Sequence, residues 1–365
     1  MIDTTSSSRT MSKDFLSILD LDPIELVRLL DLARDVKRDR ALGRQAPTRG
    51  ALAGSHVAML FEKPSLRTRS TFEIAIRELG GETLHIPPEM AEGTREPLED
   101  VARNLERWVR ALVVRTFAQQ KAETLAASAS RLHVINALTD EQHPCQALAD
   151  FLTLREHWGT LRGRTVAYVG DGNNVAASLA HAGAMLGVTV HVASPAGYEL
   201  PDRVLDEAAR VARDGACVRR FRDPRRAVAG ADAVYTDVWA SMGQEDEAAE
   251  RRLIFSDYQV NEGLMAAADA GALFMHCLPA HRGEEVAAEV IDSSRSVIYD
   301  EAENRLHVQG DHARSDERPA LTDSQTRHTR GLLVVILLGV IFFTILALII
   351  LKTGGDPAEP ARRLE

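Results

Sequence analysis

The sequence is poor in cysteine, in aromatic residues and in any basic excess, and these shortages exclude several classes. Its three cysteines, Cys145, Cys217 and Cys277, stand far apart, with no CxxC pair and no His/Cys spacing of the kind that holds zinc. A disulfide framework and a structural metal site are therefore both disfavoured, and a reducing compartment is the simpler setting. A formal net charge of −10 lacks the basic face on which nucleic-acid binders rely. It does not exclude an anionic substrate, because a few placed arginines outweigh net charge locally. The opening MIDTTSSSRTMSKDF has no apolar core and carries an acid, so it is neither a signal peptide nor a transit peptide; residues 1–13 read as a short disordered leader.

What is present suits an α/β protein. With 365 residues, 45% of them hydrophobic, the chain is long enough for two cores, since single cores stop growing at about 250 to 300 residues. From Asp14 to Arg40, Leu16, Leu19, Ile24, Leu26, Val27, Leu30, Leu32, Ala33 and Val36 recur at helical spacing around Pro23, predicting a turn and then a helix. HVAMLF (His56 to Phe61) is a short buried strand, after which SLRTRSTFEIAIRELGG switches to a helical period and stops on Gly80 and Gly81. A second strand-helix-strand unit follows in TVAYVGDG, NNVAASLAHAGAMLG and VTVHVAS; ADAVYTDVW and ALFMHCLPAHR add two strands that end in polar residues. Alternating strands and helices predict two doubly wound parallel-sheet domains, over 14–150 and 151–309, with ligands at the carboxyl ends of the strands.

The polar residues collect at those ends. In FEKPSLRTRS a strand turns into a helix and brings together free backbone N–H groups, the positive end of the helix dipole, the Ser65 and Thr68 hydroxyls and Arg67, the makings of a phosphate site. Taken alone, an N-cap serine with two surface arginines is an equal reading. Its company shifts the balance: Arg115 closes VVRTF, His143 and Gln146 lie in DEQHPCQ, Cys277 and Leu278 in HCLPAHRG, and Arg305 in EAENRLH. VGDGNN lacks the full G-x-G-x-x-G pattern and reads as a tight turn rather than a dinucleotide loop.

In this order, S-x-R-T-R, H-P-x-Q, D-x-W-x-S-M-G and H-C-L-P resemble the aspartate/ornithine carbamoyltransferase family, over roughly Asp14 to His307. The resemblance implies carbamoyl phosphate bound between an N-terminal carbamoyl-phosphate domain and a C-terminal amino-acid domain. Ser65, Arg67, Thr68 and the Leu66 backbone would hold the phosphate, and Arg115 would bridge phosphate and carbonyl oxygen. His143 would polarise the carbonyl, while Gln146, the Leu278 carbonyl and Arg305 hold the carbamoyl nitrogen. Asp237 would take the α-ammonium of L-ornithine, Asn174, Ser241 and the Met242 backbone its carboxylate, and Cys277 would lie near the reacting δ-amine. The product would be L-citrulline. No metal and no cofactor is required, because positioned cations can stabilise both the oxyanion and the departing phosphate. The resemblance further implies a homotrimer, a cytoplasmic setting and a Leu278–Pro279 bond in the cis form. A carbamoyltransferase for another amino acid or amine, and an inactive membrane-held scaffold, are the alternatives.

The chain departs from the family's pattern in three places. Leucine stands at 66 where threonine is usual, which leaves a backbone N–H for the phosphate. The loop PPEMAEGTREP, Pro87 to Pro97, lacks the glutamine by which many relatives reach a neighbouring subunit's carbamoyl phosphate; either Arg95 or Glu96 serves instead, or the loop is a solvated face. Lastly, a polar linker at 310–330 leads to GLLVVILLGVIFFTILALIIL at 331–351 and a short tail at 352–365. The twenty uncharged residues Leu332 to Leu351 span about 30 Å as a helix, the thickness of a bilayer's hydrocarbon core, and predict a transmembrane anchor. Arg314, Arg318, Arg327 and Arg330 before it against Lys352, Arg362 and Arg363 after it favour a cytoplasmic catalytic part.

Overall fold

The computed structural model describes residues 12–91, 95–241 and 243–309. The first eleven residues, residues 92–94, Met242, and the linker, apolar segment and tail from residue 310 onward lie outside the described residues. Among the described residues no helix is long and apolar enough to cross a membrane.

Near-continuous apolar runs become the central strands, buried on both faces as parallel sheets require, while two edge strands, Glu82–Ile86 and Val218–Phe221, stay partly exposed. The first sheet is built from β1 (His56–Phe61), β2 (Glu82–Ile86), β3 (Ala111–Arg115) and β4 (His133–Leu138) in the order β2-β1-β3-β4. The second uses β5 (Thr165–Val169), β6 (Thr189–Ala193), β7 (Val218–Phe221), β8 (Ala233–Thr236) and β9 (Leu273–His276) in the order β7-β6-β5-β8-β9. All pairings within both sheets are parallel. Side chains alternate between cores, as the two-residue period of a strand dictates. Val57, Met59 and Phe61 of β1 and Val166 and Tyr168 of β5 enter one core that runs beneath both sheets, while Ala58 and Leu60 enter a second and Ala167 and Val169 a third.

Helices connect the strands and carry the site. Asp22 caps the helix Pro23–Asp39 through a capping box with Glu25, and Leu26, Leu29, Leu30, Ala33 and Val36 make its buried stripe. Ile24 and Val27, part of the same apolar pattern, face solvent. The helix Leu66–Glu78 buries Thr68, Phe72, Ala75 and Ile76; a spacing of three and four puts them on one face, so the core contact that fixes Phe72 also turns Thr68 inward. It stops where Gly80 takes φ +86°. One helix, Pro144–Trp158, leads from the first sheet toward the second and runs through residue 150, where the sequence reading puts its boundary. The closing helix Ile298–Val308 packs back on it and on Leu66–Glu78, tying the end of the second half to the first.

Winding direction reverses between β1 and β3 in one sheet and between β5 and β8 in the other. Such switch points open a crevice outside the carboxyl ends of the strands, and the candidate residues follow those strands directly.

Candidate active site

Ser65 ends the β1 loop in extended backbone and caps the helix Leu66–Glu78, its Oγ accepting from the Thr68 N–H at 3.2 Å. The Leu66 side chain is 79% exposed, so the backbone is what this position offers the site. The buried Thr68 Oγ1 accepts from two arginines: Nη1 of Arg115, the last residue of β3, at 3.2 Å, and Nη2 of Arg305 from the closing helix at 2.6 Å. Arg305 Nη1 also donates to Gln146 Oε1 at 2.5 Å. Arg67 lies within electrostatic reach of Arg305, Cys277 and Asp237; burial first, then Arg305, lowers its pKa. Burial, Arg305 and Arg67 bring Arg115 down to about 10. Three guanidiniums that disfavour one another's charge favour an anion placed among them.

His143 precedes Pro144 at the start of its helix, and its backbone N–H donates to Ser178 Oγ at 2.8 Å. The ring is 3% exposed, and its Nδ1 has no hydrogen-bond partner among the described residues. Burial, with Arg305 and Arg115 behind it, pushes its pKa well below the usual imidazole range, so the ring is neutral at pH 7. Gln146 is fixed from below: its Nε2 donates to Asp150 Oδ1 at 2.7 Å and Glu301 Oε1 at 2.9 Å. That leaves its oxygen toward Arg305. A guanidinium has donors only, so Arg305 can orient the Gln146 oxygen and supply charge, but it cannot accept an N–H from a carbamoyl group.

Across the crevice, Asp237 follows β8. Its carboxyl accepts from Asn173 Nδ2 at 2.9 Å, from the Val238 N–H at 2.8 Å and from the Cys277 thiol at 3.0 Å. Burial first, then Asp237, pushes the Cys277 thiol well above the ordinary range; it stays a neutral thiol, not a nucleophilic thiolate. Gly172 allows this corner to close, since a Cβ there would sit 2.2 Å from the Leu200 nitrogen. Leu278 follows with φ +58° and a cis bond to Pro279.

Ser65, Arg67, Thr68, Arg115, His143, Gln146, Asp237, Cys277 and Arg305 thus gather around one crevice. Asn174 is half-buried with its Nδ2 donating to the Thr139 carbonyl, and the Ser241 N–H donates to Gln244 Oε1 of its own loop at 3.0 Å; neither bonds to Asp237. Met242 lies outside the described residues. Arg95 is exposed and Glu96 partly buried. Asp237, His276 and Cys277 bring metal-ligand atoms within 4.8 Å of one another, but the thiol is committed to Asp237 and both His276 nitrogens are in hydrogen bonds.

Sequence reasoning missed several supports. Lys63 is buried after β1, its ammonium 2.6 Å from Asp140 and 4.2 Å from the centre of the Phe117 ring; it pins the β1 loop to the loop after β4. Asp150, Glu301 and Tyr235 form the buried floor under Gln146. The spacing of Asp150 from Gln146, and of Glu301 from Arg305, is four residues, so a helical period on known site residues would have found both.

Models of the aspartate/ornithine carbamoyltransferase carbamoyl-P binding domain and Asp/Orn binding domain match residues 13–156 and 162–310. The chain is 50% identical over 299 residues to an ornithine carbamoyltransferase of Parasynechococcus marenigrum, covering 81% of this chain and 91% of that one. It is also 50% identical over 300 residues to one of Acidothermus cellulolyticus, covering 82% and 94%. Among solved structures it resembles ornithine carbamoyltransferase from Pyrococcus furiosus (47% identity, TM-score 0.77, 81% of this chain and 94% of that one). The Thermus thermophilus structure is similar at 43% identity and TM-score 0.73, covering 82% and 97%.

Proposed function

The chain belongs to the aspartate/ornithine carbamoyltransferase family, and from that premise we infer that it transfers the carbamoyl group of carbamoyl phosphate to the δ-amine of L-ornithine, giving L-citrulline and phosphate. The observation that carries this reading is the cluster of Arg67, Arg115 and Arg305 around Thr68, set beside a neutral buried imidazole and facing an Asp–thiol pair.

The chemistry follows from the charges. The phosphate goes to the Ser65 and Thr68 hydroxyls, the Leu66 and neighbouring N–H groups at the helix start, and Arg67 and Arg115. His143, being neutral, can donate one hydrogen bond to the carbonyl oxygen without adding a buried charge, and Arg115 and Arg305 stabilise that oxygen as it becomes an oxyanion. The carbamoyl nitrogen donates to Gln146 Oε1 and the Leu278 carbonyl. Asp237 takes the α-ammonium, with Asn174, Ser241 and the Met242 backbone at the α-carboxylate. The neutral δ-amine then attacks, its C–N bond forms, the C–O bond to phosphate breaks, and the amine's proton leaves with the basic phosphate. Cys277, as a thiol, shapes the pocket at the amine and takes no covalent part.

The test is citrulline formation by the full chain beside Arg67→Ala. Loss of a cation on the leaving group should lower the rate on the order of a hundredfold or more; equal rates in the two proteins would sink this assignment. We also propose, from the sequence alone, a cytoplasmic homotrimer held at the membrane through 331–351. Carbonate extraction that releases the protein, or sedimentation as a monomer, speaks against the corresponding part.

A further inference from the structure

We propose that His276 and Glu285 are positioning residues that set the Leu278 carbonyl for the carbamoyl nitrogen, a role that rests on the reaction inferred above. His276 is the last residue of β9, and both side chains are fully or almost fully buried. Leu278 sits at φ +58°, a conformation that a bulky side chain rarely adopts and that needs outside support. The support is visible. The Leu278 N–H lies 2.9 Å from His276 Nδ1, and since a backbone N–H can only donate, Nδ1 must be the acceptor and the ring proton must be on Nε2. Nε2 in turn lies 3.2 Å from Glu285 Oε1.

Glu285 closes the turn from its other end, because the same Oε1 accepts from the His281 N–H at 2.5 Å. Burial pushes the Glu285 pKa up, but the hydrogen bonds from His276 and His281 outweigh it and hold the carboxyl below the usual range. A further link ties this turn to the floor of the site. The His276 N–H donates to Glu301 Oε2 at 3.1 Å, while Glu301 Oε1 holds Gln146 Nε2 at 2.9 Å. The two acceptors assigned to the carbamoyl nitrogen, Leu278 and Gln146, are thereby fixed by one connected set of side chains. A relay of this kind aims a carbonyl without touching substrate.

Two substitutions at His276 separate aiming from bulk stability. His276→Asn keeps an oxygen near the Nδ1 position, able to accept from the N–H two residues on, as in an Asx turn, but cannot reach Glu285. His276→Gln reaches toward Glu285 and leaves the Leu278 N–H without its acceptor. The readouts, on the full chain, are the affinities for carbamoyl phosphate and for inorganic phosphate by titration, kcat and both KM values for citrulline formation, and the thermal midpoint. In His276→Gln the ratio of carbamoyl phosphate to phosphate affinity should fall about tenfold, the worth of a lost hydrogen bond, and kcat should fall with it while the ornithine KM holds. In His276→Asn the ratio should stay near wild type although its midpoint drops as far. Glu285→Ala, which leaves the ring in place but unanchored, should lower the same ratio and serves if His276→Gln does not fold. An unchanged ratio in His276→Gln and Glu285→Ala, or losses that simply follow the thermal midpoint, overturns the proposal. If wild type makes no citrulline, the reaction is wrong, and the affinity ratio still decides what His276 does.

Discussion

Replacing Asp150 by asparagine should stabilise the protein at alkaline pH, although it removes a buried ionisable group from the floor of the site. Asp150 and Glu301 hydrogen-bond to each other and share the Gln146 amide and the Tyr235 hydroxyl. Two carboxyls in one buried pocket hold a proton between them, because both cannot ionise. Burial raises the Asp150 pKa from 3.8 to about 7, and burial, then Asp150, raises that of Glu301 well above its ordinary value. A folded-state pKa above the unfolded one contributes stability that is fully present below the unfolded value and is lost as pH rises through about 7. That rise, at about 1.36 kcal/mol for each tenfold change in acidity, puts the loss at about 4 kcal/mol by pH 8. The asparagine amide would keep an acceptor for Gln146 and supply an N–H to Glu301 with no proton to lose. Urea unfolding should therefore show Asp150→Asn more stable than wild type by about 2–4 kcal/mol at pH 8, with the difference shrinking by roughly half or more at pH 5. A variant that is less stable at pH 8 than at pH 5, relative to wild type, would refute the shared proton.

Other consequences follow from the same groups. Burial lowers His133, His181 and His307 to about 4 and His143 well below the usual range; their stability is present above about pH 6.5 and is lost as pH falls through the folded values. Below about pH 6 the Asp150–Glu301 pair takes a second proton, so unfolding releases about two protons there while the four neutral histidines take up about three to four; the net uptake is about one to two protons, and stability should drop by about 1–3 kcal/mol per pH unit between about pH 6 and pH 5. A flat urea midpoint across that range contradicts this. Gly172→Ala places a methyl 2.2 Å from the Leu200 nitrogen, and it should cost about 1–3 kcal/mol or more while raising the ornithine KM, because Asn173 beside it holds Asp237; an unchanged melting curve shows the loop can yield. Iodoacetamide at about pH 8 should label the half-buried Cys217 and spare Cys277 and Cys145, whose thiols burial pushes well above the usual range and up to about 12. A rapid Cys277 adduct in the mass spectrum would show a thiolate instead.

The elements most legible in the sequence are those set by local rules. HVAMLF reads as a strand because its five apolar residues, Val57 to Phe61, are the kind a parallel sheet buries on both faces, and the turn into SLRTRS reads as an anion site because a capped helix start exposes N–H groups wherever it occurs. The resemblance of the motifs to the carbamoyltransferase family likewise named Arg67, Arg115, His143, Asp237 and Arg305 without coordinates. The same local rules mislead where the environment decides: Ile24 and Val27 match the apolar period yet face solvent.

The sequence by itself determined the alternation of strands and helices, the capped helix start at Ser65 and the chemical identity of the groups, because these depend on residues close along the chain. Only the tertiary structure decided that Arg305, 237 residues beyond Thr68, would donate to the same hydroxyl as Arg115. It alone decided that Asp150 and Glu301 would meet, and that the Cys277 thiol would be committed to Asp237. Charge states in this site come from burial and from neighbours that the fold brings in from distant segments, and desolvation is a property of packing, which no stretch of sequence carries alone.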